Sequence, residues 1–167
     1  MLTIVSELSL GSAQFDPTGT YRYSLHRSWA AAGPNVVFIM LNPSRADARQ
    51  DDPTLRACIG FAQRWQCSSL TVVNLFAYRT PHPRLLKTVA EPVGPENDRY
   101  LLAAVQQAER VVLAWGNEGR LWERDRAVLD LLQPYHQKLF CLSRNHTGQP
   151  RHPLYLRRGT PLMRFTL

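Results

Sequence analysis

The stretch Asn35–Ser44, NVVFIMLNPS, decides the fold class, because an unbroken apolar run ends abruptly in an Asn-Pro turn. Three further runs of this kind follow at Leu70–Phe76, Arg110–Trp115 and Lys138–Leu142. They are rich in Val, Ile, Leu and Phe without polar alternation, which is typical of strands covered on both faces. The sequence therefore predicts four buried, parallel strands.

The segments between these runs have the periodicity of amphipathic helices. Apolar residues recur three or four positions apart in Asp52–Trp65, Pro95–Ala108 and Arg120–Leu132. Asp52 precedes Pro53 and is the predicted N-cap of the first helix. Strands that alternate with helices through right-handed crossovers predict a three-layer α/β/α sandwich with a four-stranded parallel sheet.

The residues that precede the first of these strands predict one additional antiparallel element. Tyr21–Trp29 alternates aromatic or apolar residues with polar ones, as an edge strand does, and its candidate partner in an N-terminal hairpin is Thr3–Leu8. Two proline-rich stretches, Thr80–Arg84 and Glu91–Pro95, are expected to be surface loops. With 167 residues, the chain is expected to be a single α/β domain, residues 1–167.

Composition excludes several classes of protein. Hydrophobic residues make up 44% of the chain and charged residues 20%, which is globular usage and excludes a disordered or fibrous chain. The longest apolar stretch, Val36–Leu41, is far shorter than the ~20 residues of a membrane helix, and no leader-like segment precedes it. The three cysteines and five histidines lack metal-type spacing. We therefore expect a cytoplasmic protein with no membrane partner, metal or other cofactor, whose oligomeric state is open.

Positive charge is concentrated near the C-terminus. The net charge is +7, and the residues after Asp130 contain six basic and no acidic side chains. An electropositive segment of this kind suits a polyanionic partner, so nucleic acid or a nucleotide is the expected ligand. The alternative is a basic surface that only keeps the protein in solution.

The predicted strand ends supply the candidate site residues. In an open parallel sheet, ligands bind beyond the carboxyl ends of the strands. Taken singly, an Asn before Pro is a common turn residue, and a Phe or Trp is usually core. Their convergence at one edge predicts a single pocket lined by Asn42, Asn74, Phe76, Trp115 and His152.

Six segments together resemble a known family. LNPSRAD, DDPTLRAC, NLFAYRTPHP, GPENDRYL, VVLAWGNEG and GQPRHPLYL occur in this order between Tyr21 and Leu156. The combination is similar to a family of small bacterial and phage proteins of unknown function. This resemblance covers most of the chain but implies no reaction.

Strand order and strand-end motifs also resemble the uracil-DNA glycosylase superfamily. Those enzymes carry Gly-x-(Asp or Asn)-Pro, Asn, Trp-Gly and His-Pro-x-x-Leu after four successive strands. Asn42, Asn74, Trp115 and His152 stand in the corresponding motifs here, in the same order. Met40 replaces the glycine of the first motif, and Asn42 takes the position that can be Asp. The resemblance implies a uracil-DNA-glycosylase-like fold.

The resemblance also implies roles for these residues. Asn42 would position the attacking water, Asn74 would read the pyrimidine edge, and His152 would stabilise charge on the departing base. Phe76 and Trp115 would be the base-binding aromatic residues. Such a set suits the chemistry, because breaking an N-glycosidic bond develops positive charge on the sugar and negative charge on the base.

A base inside a duplex must also be flipped out before it can react. The resemblance implies that Leu154, Tyr155 or Leu156 fills the gap that the extruded nucleotide leaves. Basic residues near this segment are expected to hold phosphates of the nucleic acid. They are Arg144, Arg151, Arg157 and Arg158.

The acidic residues near the motifs leave alternatives open. Asp47, Asp51 and Asp52 follow Asn42, and an acidic residue of this set could act as a general base or ligate a cation with Asn42, although a helix cap also explains Asp52. Asp98 is equally well explained as a first-turn helix acid. The expected function is hydrolysis of the N-glycosidic bond of a nucleobase in DNA or a nucleotide. The alternative is a non-catalytic protein that binds nucleic acid or a nucleotide in the same crevice.

Overall fold

The computed structural model describes residues 10–167. It contains three α-helices, joined to the strands by loops and short 3-10 turns: α1 (Pro53–Arg64), α2 (Asn97–Gln107) and α3 (Arg124–Leu131). The strands are β1 (Leu10–Phe15), β2 (Arg22–Ser28), β3 (Asn35–Met40), β4 (Ser69–Asn74), β5 (Arg110–Leu113), β6 (Leu139–Cys141) and β7 (Met163–Arg164). The predicted α/β class is confirmed. No helix within residues 10–167 has both the length and the apolar character needed to span a membrane.

The strands of residues 10–167 form one mixed sheet in the order β1-β2-β4-β3-β5-β6-β7. The four predicted runs make its parallel centre, where Phe38 of β3 pairs with Val72 of β4 and Val112 of β5. The prediction of a four-stranded parallel sheet is nevertheless wrong for the whole sheet, because antiparallel strands extend both of its edges. The two-residue strand β7 is too short to leave a recognisable pattern in the sequence.

The N-terminal strand pair differs from the expectation. The predicted edge strand forms as β2, but it is an inner strand, since it pairs with β4 on one side and β1 on the other. β1 has the sequence LGSAQF and lacks the apolar alternation that predicts a strand. The other predicted strand, Thr3–Leu8, lies outside the described residues.

Two apolar clusters cover the two faces of the sheet. Val37 and Ile39 of β3 pack in one cluster with residues of α2 and α3. Val36, Phe38 and Met40 alternate with them and pack in the other cluster with residues of α1. Helices therefore cover both faces, as expected of strands that are apolar at every position.

The helix starts follow local capping chemistry. Asp52 caps α1 as predicted, because its Oδ1 accepts a hydrogen bond of 2.8 Å from the Leu55 N–H. α2 begins at Asn97 rather than at Pro95. Gly94 has a φ of 90°, and its carbonyl accepts from the Asn97 N–H, so the proline belongs to the turn before the helix.

The third helix is shorter than its apolar periodicity predicts. Trp122 and Glu123 have left-handed backbone angles, with φ of 56° and 54°. They form the end of the 3-10 segment Asn117–Glu123, directly before α3. Two consecutive non-glycine residues in this region interrupt regular helix, which explains why α3 starts at Arg124.

Candidate functional site

A cavity of about 380 Å³ opens at the carboxyl end of the parallel strands. Four of the five residues predicted to share a pocket line it: Asn42 after β3, Asn74 at the end of β4, Trp115 after β5, and His152. Parallel strands in register end at one edge of the sheet, and this brings residues distant in sequence to one place. The predicted convergence is present for these four residues.

Asn74 is buried in the wall of the cavity, with only 1% of its surface exposed. Neither Oδ1 nor Nδ2 of its side chain has a hydrogen-bond partner within residues 10–167. Buried side-chain amides are normally satisfied, because each unmade hydrogen bond costs about 1–3 kcal/mol. The Asn74 amide thus keeps one acceptor and one donor without a partner beside the cavity.

Asn97 and Arg124 fix the backbone that carries Asn74. The Asn97 Nδ2 donates to the carbonyls of Asn74 and Leu75, at 2.9 and 3.1 Å. The Arg124 Nε donates to the same Leu75 carbonyl at 2.7 Å, and its Nη2 pairs with Asp98. Asp98 thus has a structural partner. The conformation of the β4 end is set by side chains of α2 and α3.

Asn42 uses only half of its side-chain amide to hold the structure. Its Nδ2 donates to the carbonyls of Pro43 and Thr80, at 3.0 and 2.8 Å. These bonds orient the amide and leave Oδ1 as the atom that can accept from a ligand or a water molecule. Thr80 also lines the cavity.

His152 has a defined tautomer. Its Nδ1 accepts from the Leu154 N–H at 3.2 Å, as the cap of a short 3-10 turn, Pro153–Tyr155. The proton of the neutral imidazole must therefore be on Nε2, which is a donor. Burial lowers the pKa of His152, while the charge of Asp52 opposes that shift. Near neutral pH the imidazole of His152, a residue that lines the cavity, is thus uncharged and has its N–H at Nε2.

Trp115 is held rigidly against the cavity. Its Nε1 donates to Gln149 Oε1 at 2.8 Å. Gly119 lies so close that a Cβ built there would come within 2.1 Å of the indole. Gly116, directly after Trp115, has a φ of 75°, and its N–H bonds the Pro150 carbonyl. Glycine is therefore needed at position 116 for the backbone angle of the Trp-Gly turn, and at position 119 for the packing of the indole.

Phe76 does not line the cavity. It is fully buried in the apolar cluster of α2 and α3, on the opposite face of the sheet from α1. β4 ends at Asn74, so strict alternation of side chains no longer applies two residues later. The prediction that Phe76 shares the pocket is wrong, and Phe76 is a core residue.

The segment predicted to fill a nucleotide gap divides into two parts. Leu154 and Tyr155 line the cavity and are 43% and 73% exposed, so two large apolar side chains stand at its rim. Leu156 instead packs against the α1 cluster. Leu154 and Tyr155 are therefore on the solvent side of the cavity, whereas Leu156 is part of the packing beneath it.

The four basic residues predicted to hold phosphates do not line the cavity. Arg144 lies 4.0 Å from the ring centre of Phe165 and donates to the Thr166 carbonyl, so it fastens the C-terminal segment. Arg151, Arg157 and Arg158 are exposed. Their placement leaves them available to a partner that lies outside the cavity.

The acidic residues near Asn42 have separate positions. Asp47 Oδ1 accepts from two backbone N–H groups of its own turn, which lowers the pKa of that carboxyl. Asp51 pairs with Arg27 at 3.0 Å. Asp52 is the carboxylate among the residues that line the cavity. Cys58 also lines it, but burial raises the pKa of its thiol and keeps it protonated.

Arg22 is a cavity residue that the sequence did not reveal. It is 4% exposed, at the start of β2, and its Nη1 donates to the Ala46 carbonyl at 2.8 Å. An arginine in an alternating strand is normally assigned to the solvent side, and only the tertiary fold turns this one inward. Within residues 10–167 no group of three or more His, Cys, Asp or Glu side chains is arranged to hold a metal ion.

The fold and the site define an α/β protein with a ligand-sized cavity, lined by apolar and polar side chains, at the carboxyl end of its central strands. The chain belongs to the family described as "Protein of unknown function (DUF1643)", which matches residues 22–154. None of the curated proteins and none of the solved structures compared with the chain matches it. The matched segment includes every residue discussed above that lines the cavity except Tyr155.

Proposed function

We propose that this protein is an enzyme with a uracil-DNA-glycosylase-like fold that hydrolyses the N-glycosidic bond of a nucleobase in DNA or in a nucleotide. The observation that carries the proposal is Asn74, whose buried side chain has a free acceptor and a free donor at the cavity. The edge of a nucleobase presents the complementary pair of groups, and enzymes that act on a base read it in this way.

His152 supports the same chemistry. In hydrolysis the bond between the sugar carbon and the base nitrogen breaks, and its electron pair moves onto the base. A neutral Nε2–H at the cavity can donate to a base oxygen as this charge develops. A neutral donor avoids the cost of placing a full positive charge in a partly buried site.

Asn42 and Asp52 are the candidates to handle the attacking water. The Asn42 Oδ1 can accept one hydrogen bond from that water while the amide is held by Pro43 and Thr80. The water oxygen bonds to the sugar carbon, and its proton must leave. Asp52 is the carboxylate at the cavity that can accept the proton, since only its Oδ1 is used as a helix cap.

Leu154 and Tyr155 would stand beside the extruded nucleotide, in the position where enzymes of this kind insert a wedge. The exposed Arg151, Arg157 and Arg158 would contact phosphates outside the cavity. Binding to nucleic acid should then weaken steeply as salt rises, because phosphate contacts release counterions.

The test is single-turnover base release from oligonucleotides that carry uracil, hypoxanthine or oxidised pyrimidines, and from the matching nucleotides. We expect His152→Ala to slow release about 10²–10³-fold with binding nearly intact, the effect of losing one donor to developing charge. Arg157→Ala should weaken binding with little change in the bound rate. His136→Ala, at an exposed histidine, is the control.

Equal effects of His152→Ala and His136→Ala would contradict the role of His152. No base release from any substrate by the wild type would contradict hydrolysis. That result would favour the second candidate, a non-catalytic binder of nucleic acid or nucleotide. The observation on its side is Asn42, an uncharged side chain where a carboxylate would activate water more strongly.

A further inference from the structure

Arg22 has more hydrogen-bonding capacity than the protein uses. One guanidinium nitrogen, Nη1, donates to the Ala46 carbonyl. Its Nε is buried and has no partner within residues 10–167, and no carboxylate of those residues lies within ion-pair distance of the guanidinium. The side chain lines the same cavity as Asn74. Arginine has five donors, so this residue is far from satisfied.

Two neighbouring arginines show what a purely structural role looks like. Arg27 and Arg79 donate, like Arg22, to main-chain carbonyls of the loop between β3 and α1, residues 41–52. Arg27 uses Nε, Nη1 and Nη2 and pairs with Asp51. Neither of the two lines the cavity. Support of the loop explains them, but it accounts for only one nitrogen of Arg22.

The charge of Arg22 is incompletely balanced. Burial lowers the pKa of Arg22 to about 10, so the guanidinium is still protonated at neutral pH. Asp52 and Asp47 partly offset this effect, whereas Arg79 and Arg27 add to it. A buried charge without a paired counterion is costly. An anionic group of a ligand would supply that counterion.

We propose that Arg22 binds a phosphate, so that the ligand is a nucleoside monophosphate unit with its base at Asn74 and its phosphate at Arg22. This inference rests on the proposed base site and names its substrate class. A planar, forked guanidinium matches phosphate geometry. The cavity volume of about 380 Å³ lies in the range of pockets for small organic ligands. The phosphate belongs either to a free nucleotide or to a nucleic-acid chain.

Calorimetric titration can test the role of Arg22 with four probes: 2′-deoxyuridine, its 5′-monophosphate, inorganic phosphate and a short uracil-containing oligonucleotide. We expect the monophosphate to bind the wild type about 10- to 100-fold tighter than the nucleoside, the effect of a charge-assisted bond. Arg22→Gln should abolish this difference, and Arg22→Lys should keep part of it. The comparison of nucleoside with nucleotide on the wild type does not depend on any variant folding.

Arg79→Gln is the matched control, since Arg79 supports the same loop from outside the cavity. It should keep the preference for the phosphate. Loss of the preference in Arg79→Gln as well as in Arg22→Gln would overturn the inference, because loop shape would then be the cause. Equal wild-type affinity for nucleoside and monophosphate, together with oligonucleotide binding that does not depend on Arg22, would also overturn it, as would binding of no probe.

Binding and base release, measured with the same probes, distinguish this inference from the proposed function. Phosphate preference that depends on Arg22, without base release from any probe, would support the inference and contradict hydrolysis. Base release that is equally fast with and without the phosphate would support hydrolysis and contradict the inference. Dependence on Arg22 seen only with the oligonucleotide would support phosphate recognition and assign the phosphate to a nucleic-acid chain.

Discussion

The two faces of the sheet use their buried polar side chains differently. On the face of α2 and α3, Asn97 and Arg124 donate to the carbonyls at the end of β4, and of their side-chain atoms only Asn97 Oδ1 is buried without a partner within residues 10–167. On the face of α1, Asn74 and Arg22 are as deeply buried, yet they retain polar atoms without partners within residues 10–167. The first face is a scaffold, and the second surrounds a cavity.

The two groups of side chains should therefore contribute differently to the free energy of unfolding and to ligand binding. A satisfied buried hydrogen bond adds about 1 kcal/mol to folding, whereas an unsatisfied group costs about 1–3 kcal/mol. The α1 face therefore carries a deficit that a bound ligand with matching groups would recover, and such a ligand would stabilise the folded chain. Substitutions on the two faces should have different effects on unfolding.

The largest effect is expected on the scaffold face, from Arg124→Met. The change removes the shorter of the two side-chain hydrogen bonds to the Leu75 carbonyl, leaving that from Asn97, and it removes the partner of Asp98, so the free energy of unfolding should fall by about 3 kcal/mol. Urea denaturation followed by circular dichroism measures it. Arg126→Met, at an exposed position of the same helix, is the control and should change stability by less than about 0.5 kcal/mol. Equal losses of unfolding free energy in both variants would contradict a special role of Arg124 in stabilising the end of β4.

A smaller loss is expected from Asn97→Leu. The variant keeps a side chain of similar size but removes the two hydrogen bonds to the Asn74 and Leu75 carbonyls. The free energy of unfolding should fall by about 2 kcal/mol in the same denaturation experiment. Unchanged stability would show that α2 does not hold the β4 end.

The opposite result is expected from Asn74→Leu on the cavity face. This variant removes two buried polar atoms that have no partner within residues 10–167, so stability should be unchanged or higher by up to about 1 kcal/mol. Binding of a nucleobase ligand should be lost at the same time, as measured by calorimetry. A loss of stability like that of Asn97→Leu would place Asn74 in the scaffold instead.

The smallest effect concerns pH. Burial lowers the pKa of both His152 and His26 below the usual 6.5. As the pH falls, these histidines are therefore protonated at a higher pH in the unfolded chain than in the folded chain. The free energy of unfolding is unaffected by them above about pH 6.5 and falls as the pH drops from there toward the folded-state pKa values. Urea unfolding between pH 7.5 and 5 should show this decline. His152→Gln and His26→Gln should each flatten it, and a steeper decline in either would contradict the shift.

Much of the frame could be predicted from the sequence because it depends on local signals. Apolar runs without alternation identified the strands of the parallel centre, and Asp52 before Pro53 marked the start of α1. β1 and β7 could not be predicted, since one is polar and the other has two residues. Their pairing is decided by tertiary contacts.

The site divides along the same line. Asn42, Asn74, Trp115 and His152 follow from the rule that parallel strands end at one edge. Phe76 lies elsewhere because β4 ends before it, and no local signal gives the face of a residue beyond a strand end. Arg22 is turned inward by a carbonyl of Ala46, 24 positions away. Contacts of this kind are invisible to periodicity.

The loop between β3 and α1 derives its shape from residues outside itself. Arg22, Arg27 and Arg79 all grip main-chain oxygens, which every amino acid possesses. The carbonyl of Ser44 accepts one of these hydrogen bonds, and Ser44 also lines the cavity. For protein engineering, this means that the side chain at position 44 can be changed to alter the cavity wall while the hydrogen bond from Arg79 to the main chain is kept.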